Sequence, residues 1–304
     1  MLLKILKGVN IMLEKIIAFF MSIISFFLGL FGISLESNSY EYYDLTYGTL
    51  ERQVLDLNIP KENDGEIGLV LFIHGGAWIG GDKGSYKNGV KTASDTYGFA
   101  GASINYRYIS DDIDFNDILD DIDAALACIK AKGAENGVNI NKVLLTGDSA
   151  GGHLSLLYAY SRAETAPIAP AAVVSNSGPT DLFDENFYIN NALGSADVLA
   201  DLFSDGCGQT FTYAEKESAK DALMKASPVY YVNENTVPTV INHGMKDSIV
   251  PFSNAQSLDA KLTEYGVTHY FNAYPNSDHD LGADKENKNI ASDLLIEYCQ
   301  TYLN

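Results

Sequence analysis

From residue 50 onward, short apolar runs alternate with stretches of helical spacing. Residues 50–59 place Val54, Leu55, Leu57 and Ile59 in near alternation and predict a strand stopped by Pro60. Gly68-Leu69-Val70-Leu71-Phe72-Ile73 is apolar throughout, which predicts a central strand buried on both faces. Residues 83–97 predict a helix and residues 99–107 the next strand. Over 117–132, Ile118, Ile122, Ala125, Leu126 and Ile129 recur at helical spacing. After a loop at 133–141, Val143-Leu144-Leu145-Thr146 reads as a strand and residues 153–160 as a helix. Strands at 171–176, 238–243 and 268–274 and helices at 254–265 and 290–302 complete the series. This alternation predicts an α/β domain whose sheet is mostly parallel, with helices on both faces.

Two stretches depart from it. Residues 178–227 are long, aromatic and acidic with no clean strand. An insertion at about 181–223 in so economical a chain is expected to cover the site and shape substrate access. At the other end, Lys4, Lys7 and Lys15 precede a charge-free run at 16–33. As a helix rising about 1.5 Å per residue, that run just crosses a hydrocarbon core of roughly 30 Å. The favoured expectation is an uncleaved membrane anchor over residues 1–34, with the lysines on the cytoplasmic side. A secretory signal is the alternative, because Gly32-x-Ser34 is a passable cleavage pattern; a buried core helix is the plainer one. Either of the first two puts residues 40–304 outside the cytoplasm, tethered or secreted. Residues 35–49, polar and rich in tyrosine, read as a linker into a single catalytic domain at 50–304.

Composition narrows the partners. The net charge is −20, which argues against nucleic acid. The densest acidic group, Asp111, Asp112, Asp114, Asp117, Asp120, Asp121 and Asp123, reads as a solvated face rather than a metal site. Cys128, Cys207 and Cys299 have neither the number nor the spacing of a disulfide framework or a zinc site.

The chemistry centres on Gly147-Asp148-Ser149-Ala150-Gly151-Gly152, a serine at the tip of a strand–turn–helix. That context makes G-x-S-x-G a nucleophile elbow, with the helix N-terminus favouring an oxyanion. A serine needs a base, and an imidazole oriented by a buried carboxylate supplies one. Of five histidines, His153 falls on the helix after the elbow, His243 ends a strand, His269 lies within one and His74 opens a Gly-Gly loop. His279, in the loop after the last strand, remains as the base. Asp247 follows a strand end and gives the order Ser149, Asp247, His279. Asp148 adjoins the serine and points elsewhere, and Asp278 and Asp280 flank the base too closely. The backbone N–H groups of Gly76, Ala77 and Ala150 are the candidate oxyanion donors. Trp78 is expected to pack behind their loop. Such a set needs no metal or organic cofactor.

His74-Gly75-Gly76-Ala77-Trp78, Asn105-Tyr106-Arg107, the elbow with His153-Leu154, and Ser227-Pro228-Val229 leading to His243-Gly244-x-x-Asp247 together resemble the α/β-hydrolase esterases, over about residues 50–302. The nearest group is the hormone-sensitive-lipase-like and BD-FAE-type branch. Ala77 stands where the former often has a third glycine, which moves the chain toward the latter. The resemblance implies the α/β-hydrolase fold, Ser149, Asp247 and His279 as a triad, and the Gly-Gly loop as oxyanion donor. It implies a serine ester hydrolase acting on small or carbohydrate-linked acyl esters. The same groups serve an amide hydrolase of peptidase or formamidase type, and a catalytically silent binding module on this fold is the remaining alternative, against which an intact triad argues. The insertion matches no motif of the family, so it leaves the substrate open.

Overall fold

The strands β1 (Ser39–Thr46), β2 (Val54–Pro60), β3 (Glu66–Ile73), β4 (Ala100–Ile104), β5 (Asn139–Asp148), β6 (Ala169–Asn176), β7 (Thr239–Gly244) and β8 (His269–Tyr274) form one sheet. They pair in the order β1-β2-β4-β3-β5-β6-β7-β8. The β1–β2 and β2–β4 pairs are antiparallel and the others parallel. The computed structural model describes residues 37–189 and 191–304. The anchor or signal expected over residues 1–34 lies outside the described residues, as does Gly32-x-Ser34. Among the described residues no helix is long and apolar enough to cross a membrane. Ser39–Asn304 clusters as one unit.

Helices cover both faces, as the alternation predicts. On one face α1 (Lys87–Asp95) and α7 (Lys285–Tyr302) close a layer in which Val90, Ala93, Leu294 and Tyr298 pack on Val70, Phe72, Leu144, Val174 and Val240. On the other lie α2 (Phe115–Glu135), α3 (Ala150–Ser161) and α6 (Phe252–Glu264). The start of α2 is fixed by a capping box: Asp114 accepts from the Asn116 and Asp117 backbone, and Asp117 bonds back. That cap moves the helix start to Phe115, ahead of the 117 read from spacing. Its apolar stripe, Ile118 to Ile129, is buried. Nearly every residue of α3 is buried, so it shows no polar face.

Residues 39–46 are not a linker but the edge strand β1. Their tyrosines suit a pleated, half-wet surface, and only part of the strand is covered, which is why it carries no apolar run. Its register slips between Tyr42 and Leu45, with Asp44 at φ 51°. Lys83, buried in front of it, reaches Asp44 at 2.8 Å and buried Asp56 at 2.6 Å, tying the edge pair to the turn before α1. The stretch at 178–227 is helical. It contains α4 (Ala196–Cys207), capped by the Ser195 side chain and ended at Gly208 with φ 62°, and α5 (Lys220–Lys225), with short 3-10 segments at Glu185–Tyr188 and Tyr213–Ala219; a further such turn, Pro228–Tyr231, follows it.

Candidate active site

Ser149 stands between β5 and α3 at φ 53°, ψ −120°, a backbone that side-chain-bearing residues rarely adopt. The surroundings enforce it. A Cβ on Gly151 would run into the Ile73 carbonyl, and one on Gly147 into that carbonyl and the Gly151 backbone. Both glycines are therefore required by close approach rather than by φ. The Ser149 N–H donates to the Asn176 carbonyl at 2.8 Å, and the Ser149 carbonyl accepts from His153 N–H at 3.0 Å. The serine thus stands at the N-cap of the helix, the end at which unpaired backbone N–H groups favour negative charge.

The loop after β3 is strained in the same way. Gly76 has φ 119°, and the next two residues, Ala77 (50°) and Trp78 (61°), are also left-handed. The Ile79 N–H closes the turn on the Gly76 carbonyl at 3.1 Å, and the Trp78 carbonyl is held by Ile109 N–H at 3.1 Å. Gly76 and Ala77 line the same cavity as Ser149 and His279; Ala150 is the buried first residue of α3.

Asp247 follows β7 with its side chain wholly buried. Its Oδ1 accepts from the Ile249 and Val250 N–H groups at 2.9 and 2.8 Å. Its Oδ2 is 2.8 Å from His279 Nδ1 and 3.3 Å from His243 Nε2. Burial alone would raise its pKa, but hydrogen bonds from His243 and His279 outweigh that and hold the carboxyl far below the usual range. An ionised Asp247 accepts only, so His279 carries its proton on Nδ1 and leaves Nε2 as the acceptor. The His279 main chain is pinned on both sides: its N–H donates to Asp278 Oδ1 at 2.8 Å and its carbonyl accepts from Ser177 Oγ at 3.0 Å.

The other acids are engaged elsewhere. Asp148 accepts from Tyr86 O–H at 2.5 Å and from Asn176 at 2.8 Å. Asp278 is taken by Ser248 and Asp280 by the Gly282 N–H. Within the acidic group, Asp121 pairs with Arg107, and Asp120 and Asp123 pair with Arg162. Of the histidines, His74 bonds its own loop at the Gly75 carbonyl, and His269 faces Asp259. His153 is buried between the Trp78 indole N–H (3.1 Å to Nδ1) and the Ala226 carbonyl (2.7 Å from Nε2). Burial lowers its pKa to about 4, so it is neutral. Trp78 packs behind the loop as expected, edge-on to Phe115, yet it also lines the cavity.

Sequence reasoning missed two features. His243, read as structural, touches the candidate acid; its place four residues before Asp247 was the available signal. The second is the cavity wall. A cavity of about 340 Å³ opens beside Ser149 and His279. Pro179, Phe187, Leu193, Leu199, Leu202 and Phe203, all from the helical stretch after β6, form most of its lining, with Ile249 and Val250 opposite. The aromatic and apolar composition of that stretch marked it, but no periodicity told which residues turn inward.

The strand order, the strained serine elbow and the acid–histidine pair on successive strand-end loops define an α/β-hydrolase. Within that class the chain belongs to the BD-FAE family, whose model matches residues 55–262. It is 27% identical over 183 residues to Esterase LipQ of Mycobacterium tuberculosis (strain ATCC 25618 / H37Rv); the match takes in 56% of this chain and 41% of that relative, so about two fifths of its length. Among solved structures, a truncated carbohydrate esterase from gut microbiota superposes with TM-score 0.70 at 21% identity, covering 88% of this chain and 99% of the other. A bacterial heroin esterase gives 0.69 at 18% identity, covering 92% and 90%. Esterase B from Lactobacillus Rhamnosis (HN001) gives 0.65 at 21% identity, covering 95% and 94%. At these identities the solved structures establish the fold.

Proposed function

We propose that this chain is a serine ester hydrolase acting through an acyl–Ser149 intermediate on small or carbohydrate-linked acyl esters. The observation that carries this reading is the 2.8 Å contact between His279 Nδ1 and buried Asp247, with His279 and Ser149 lining one cavity. His279 Nε2 takes the Ser149 proton as Oγ attacks the ester carbonyl, and returns it to the departing alcohol. The backbone N–H groups of Gly76, Ala77 and Ala150 receive the developing oxyanion. Water activated by the same imidazole then releases the acid. The apolar cavity takes the acyl group and leaves the alcohol toward solvent. The M. tuberculosis relative and the gut carbohydrate esterase, both named as esterases, support the ester class.

The test is hydrolysis of nitrophenyl acetate and butyrate, with fluorophosphonate labelling of Ser149. Ser149→Ala is expected to lose both; turnover retained by that variant would end the proposal. The charge-free run at 16–33 motivates a further part of the reading, an extracytoplasmic domain tethered or secreted through residues 1–34. Protease protection on sealed membranes is its test, with accessibility from the outer side as the expected result.

A further inference from the structure

A row of amide side chains crosses the sheet beneath α1 and α7 and has no part in the chemistry above. In the parallel register Asp148 pairs with Asn176, Asn176 with Asn242, and Asn242 with Asn272. Four side chains therefore stand abreast at the carboxyl ends of β5 to β8. Asn176 Nδ2 donates to Asp148 Oδ1 at 2.8 Å, Asn242 Nδ2 to Asn176 Oδ1 at 2.9 Å, and Asn272 Nδ2 to Asn242 Oδ1 at 2.9 Å. The row continues into α7, where Asn287 Nδ2 donates to Asn272 Oδ1 at 2.8 Å and to the Ala273 carbonyl at 2.9 Å. At the other end Tyr86 O–H donates to Asp148 Oδ2.

The direction of the row follows from its end. A carboxylate only accepts, so Asn176 turns its NH2 toward Asp148. That frees its oxygen for Asn242, and the same choice repeats to Asn287. Every amide dipole is then aligned toward one negative charge, an arrangement in which neighbouring bonds strengthen one another. Asn242 and Asn272 are 0% and 3% exposed. One step back along β6 and β7 the same face carries Val174 and Val240, which pair with each other. Buried amides in such a place cost stability unless fully bonded, and here the change from valine to asparagine falls where the strands meet the site. Asp148 precedes Ser149, β7 runs on to Asp247, and β8 runs on to His279. The main chain joins in: the Asn176 carbonyl holds Ser149 N–H, and the Asn242 carbonyl holds Ser177 N–H, both at 2.8 Å.

We propose that Asn176, Asn242 and Asn272 are positioning residues, a hydrogen-bonded row that fixes the strand ends bearing Ser149, Asp247 and His279 in one mutual register. This rests on the ester-hydrolase reading. The experiment compares wild type with Asn242→Leu, which keeps the branching and the number of heavy side-chain atoms but is bulkier and has no polar ones, and Asn242→Asp, the same shape without the NH2. Turnover of nitrophenyl butyrate and the rate of Ser149 phosphonylation are measured where circular dichroism shows each variant folded. Because small misplacements of reacting groups cost rate steeply, kcat and phosphonylation should both fall about tenfold or more, with KM within about twofold. Asn272→Leu should behave alike, and the double variant Asn242→Leu/Asn272→Leu should lose much less than the product of the two. If the position 242 variants do not fold, Asn287→Ala at the half-buried end of the row is read in the same way. A fall in melting temperature with kcat and labelling unchanged would overturn the inference and leave the hydrolase reading intact. A wild-type protein that neither turns over nor labels would sink both.

Discussion

Asp247 holds His279 by a 2.8 Å hydrogen bond while a second histidine, His243, stands 3.3 Å from the same carboxylate oxygen. With the Ile249 and Val250 N–H groups on its other oxygen, the candidate acid has three close donors, and a fourth N–H, that of His243, is shared with the Val250 carbonyl at 2.9 Å; its side chain has no exposed surface. Its shape and charge are thus set by its own loop and strand, whether or not substrate is bound.

Replacing that acid should be costly to rate. Asp247→Asn turns an NH2 or a weaker acceptor toward His279 and disfavours the tautomer with Nε2 free. We expect kcat to fall roughly 10³–10⁴-fold with little change in KM. Steady-state kinetics on a nitrophenyl ester checks this. The depressed pKa also gives a sign: the ionised carboxyl contributes stability above the ordinary carboxylate range, and that contribution is lost as pH falls through its lower folded value. The melting-temperature gap between wild type and Asp247→Asn should therefore narrow in acid.

A separate acid response comes from His153. Its folded pKa of about 4 lies below the unfolded value of about 6.5, so the unfolded chain binds the extra proton first and stability rises with pH across that window. Denaturant titrations at pH 7 and pH 4 should show a loss of about 3 kcal/mol from this group. His153→Gln should flatten that part of the profile. A slope unchanged by the substitution would mean the loss arises elsewhere.

Gly76 tests the oxyanion loop. At φ 119°, with the Gly80 carbonyl where a Cβ would go, neither alanine nor proline fits. Gly76→Ala should lower kcat roughly 10²–10³-fold, the scale of losing one oxyanion donor, while the overall circular dichroism spectrum stays. Near-normal acyl transfer in Gly76→Pro would remove this loop from the mechanism.

Phe203 tests the cavity wall. It is 1% exposed, edge-on to Trp78, Phe187 and Tyr188. Phe203→Ala should lengthen the space beyond Ser149 and raise the octanoyl-to-butyryl ratio of kcat/KM about tenfold, since each methylene in such a pocket is worth roughly 1–3 kcal/mol. It should also cost about 3–5 kcal/mol of stability. An unchanged acyl profile would place the acyl group elsewhere.

The candidate site was legible because its parts are local. Glycine flanks on Ser149, the apolar run before His74 and the loop places of Asp247 and His279 each follow from a few neighbouring residues. Central strands such as β3 were legible because burial on both faces leaves an unbroken apolar run. The edge strand β1 was not, because Tyr40, Tyr42 and Tyr43 face partly to water and carry no period of two in hydropathy. The amide row from Asp148 to Asn272 was invisible for another reason: its successive members lie 28 to 66 residues apart along β5 to β8, and only strand register brings them abreast. His243 was read by its strand alone, without the turn that brings Asp247 back to it.

The stretch after β6 contributes no strand to the sheet, yet it supplies most of the surface that an acyl group would touch. On the proposed reading, reactivity and selectivity are therefore written in separable parts of the chain. Drift in residues 181–223 would then retune what is accepted while the machinery that cleaves it is inherited unchanged.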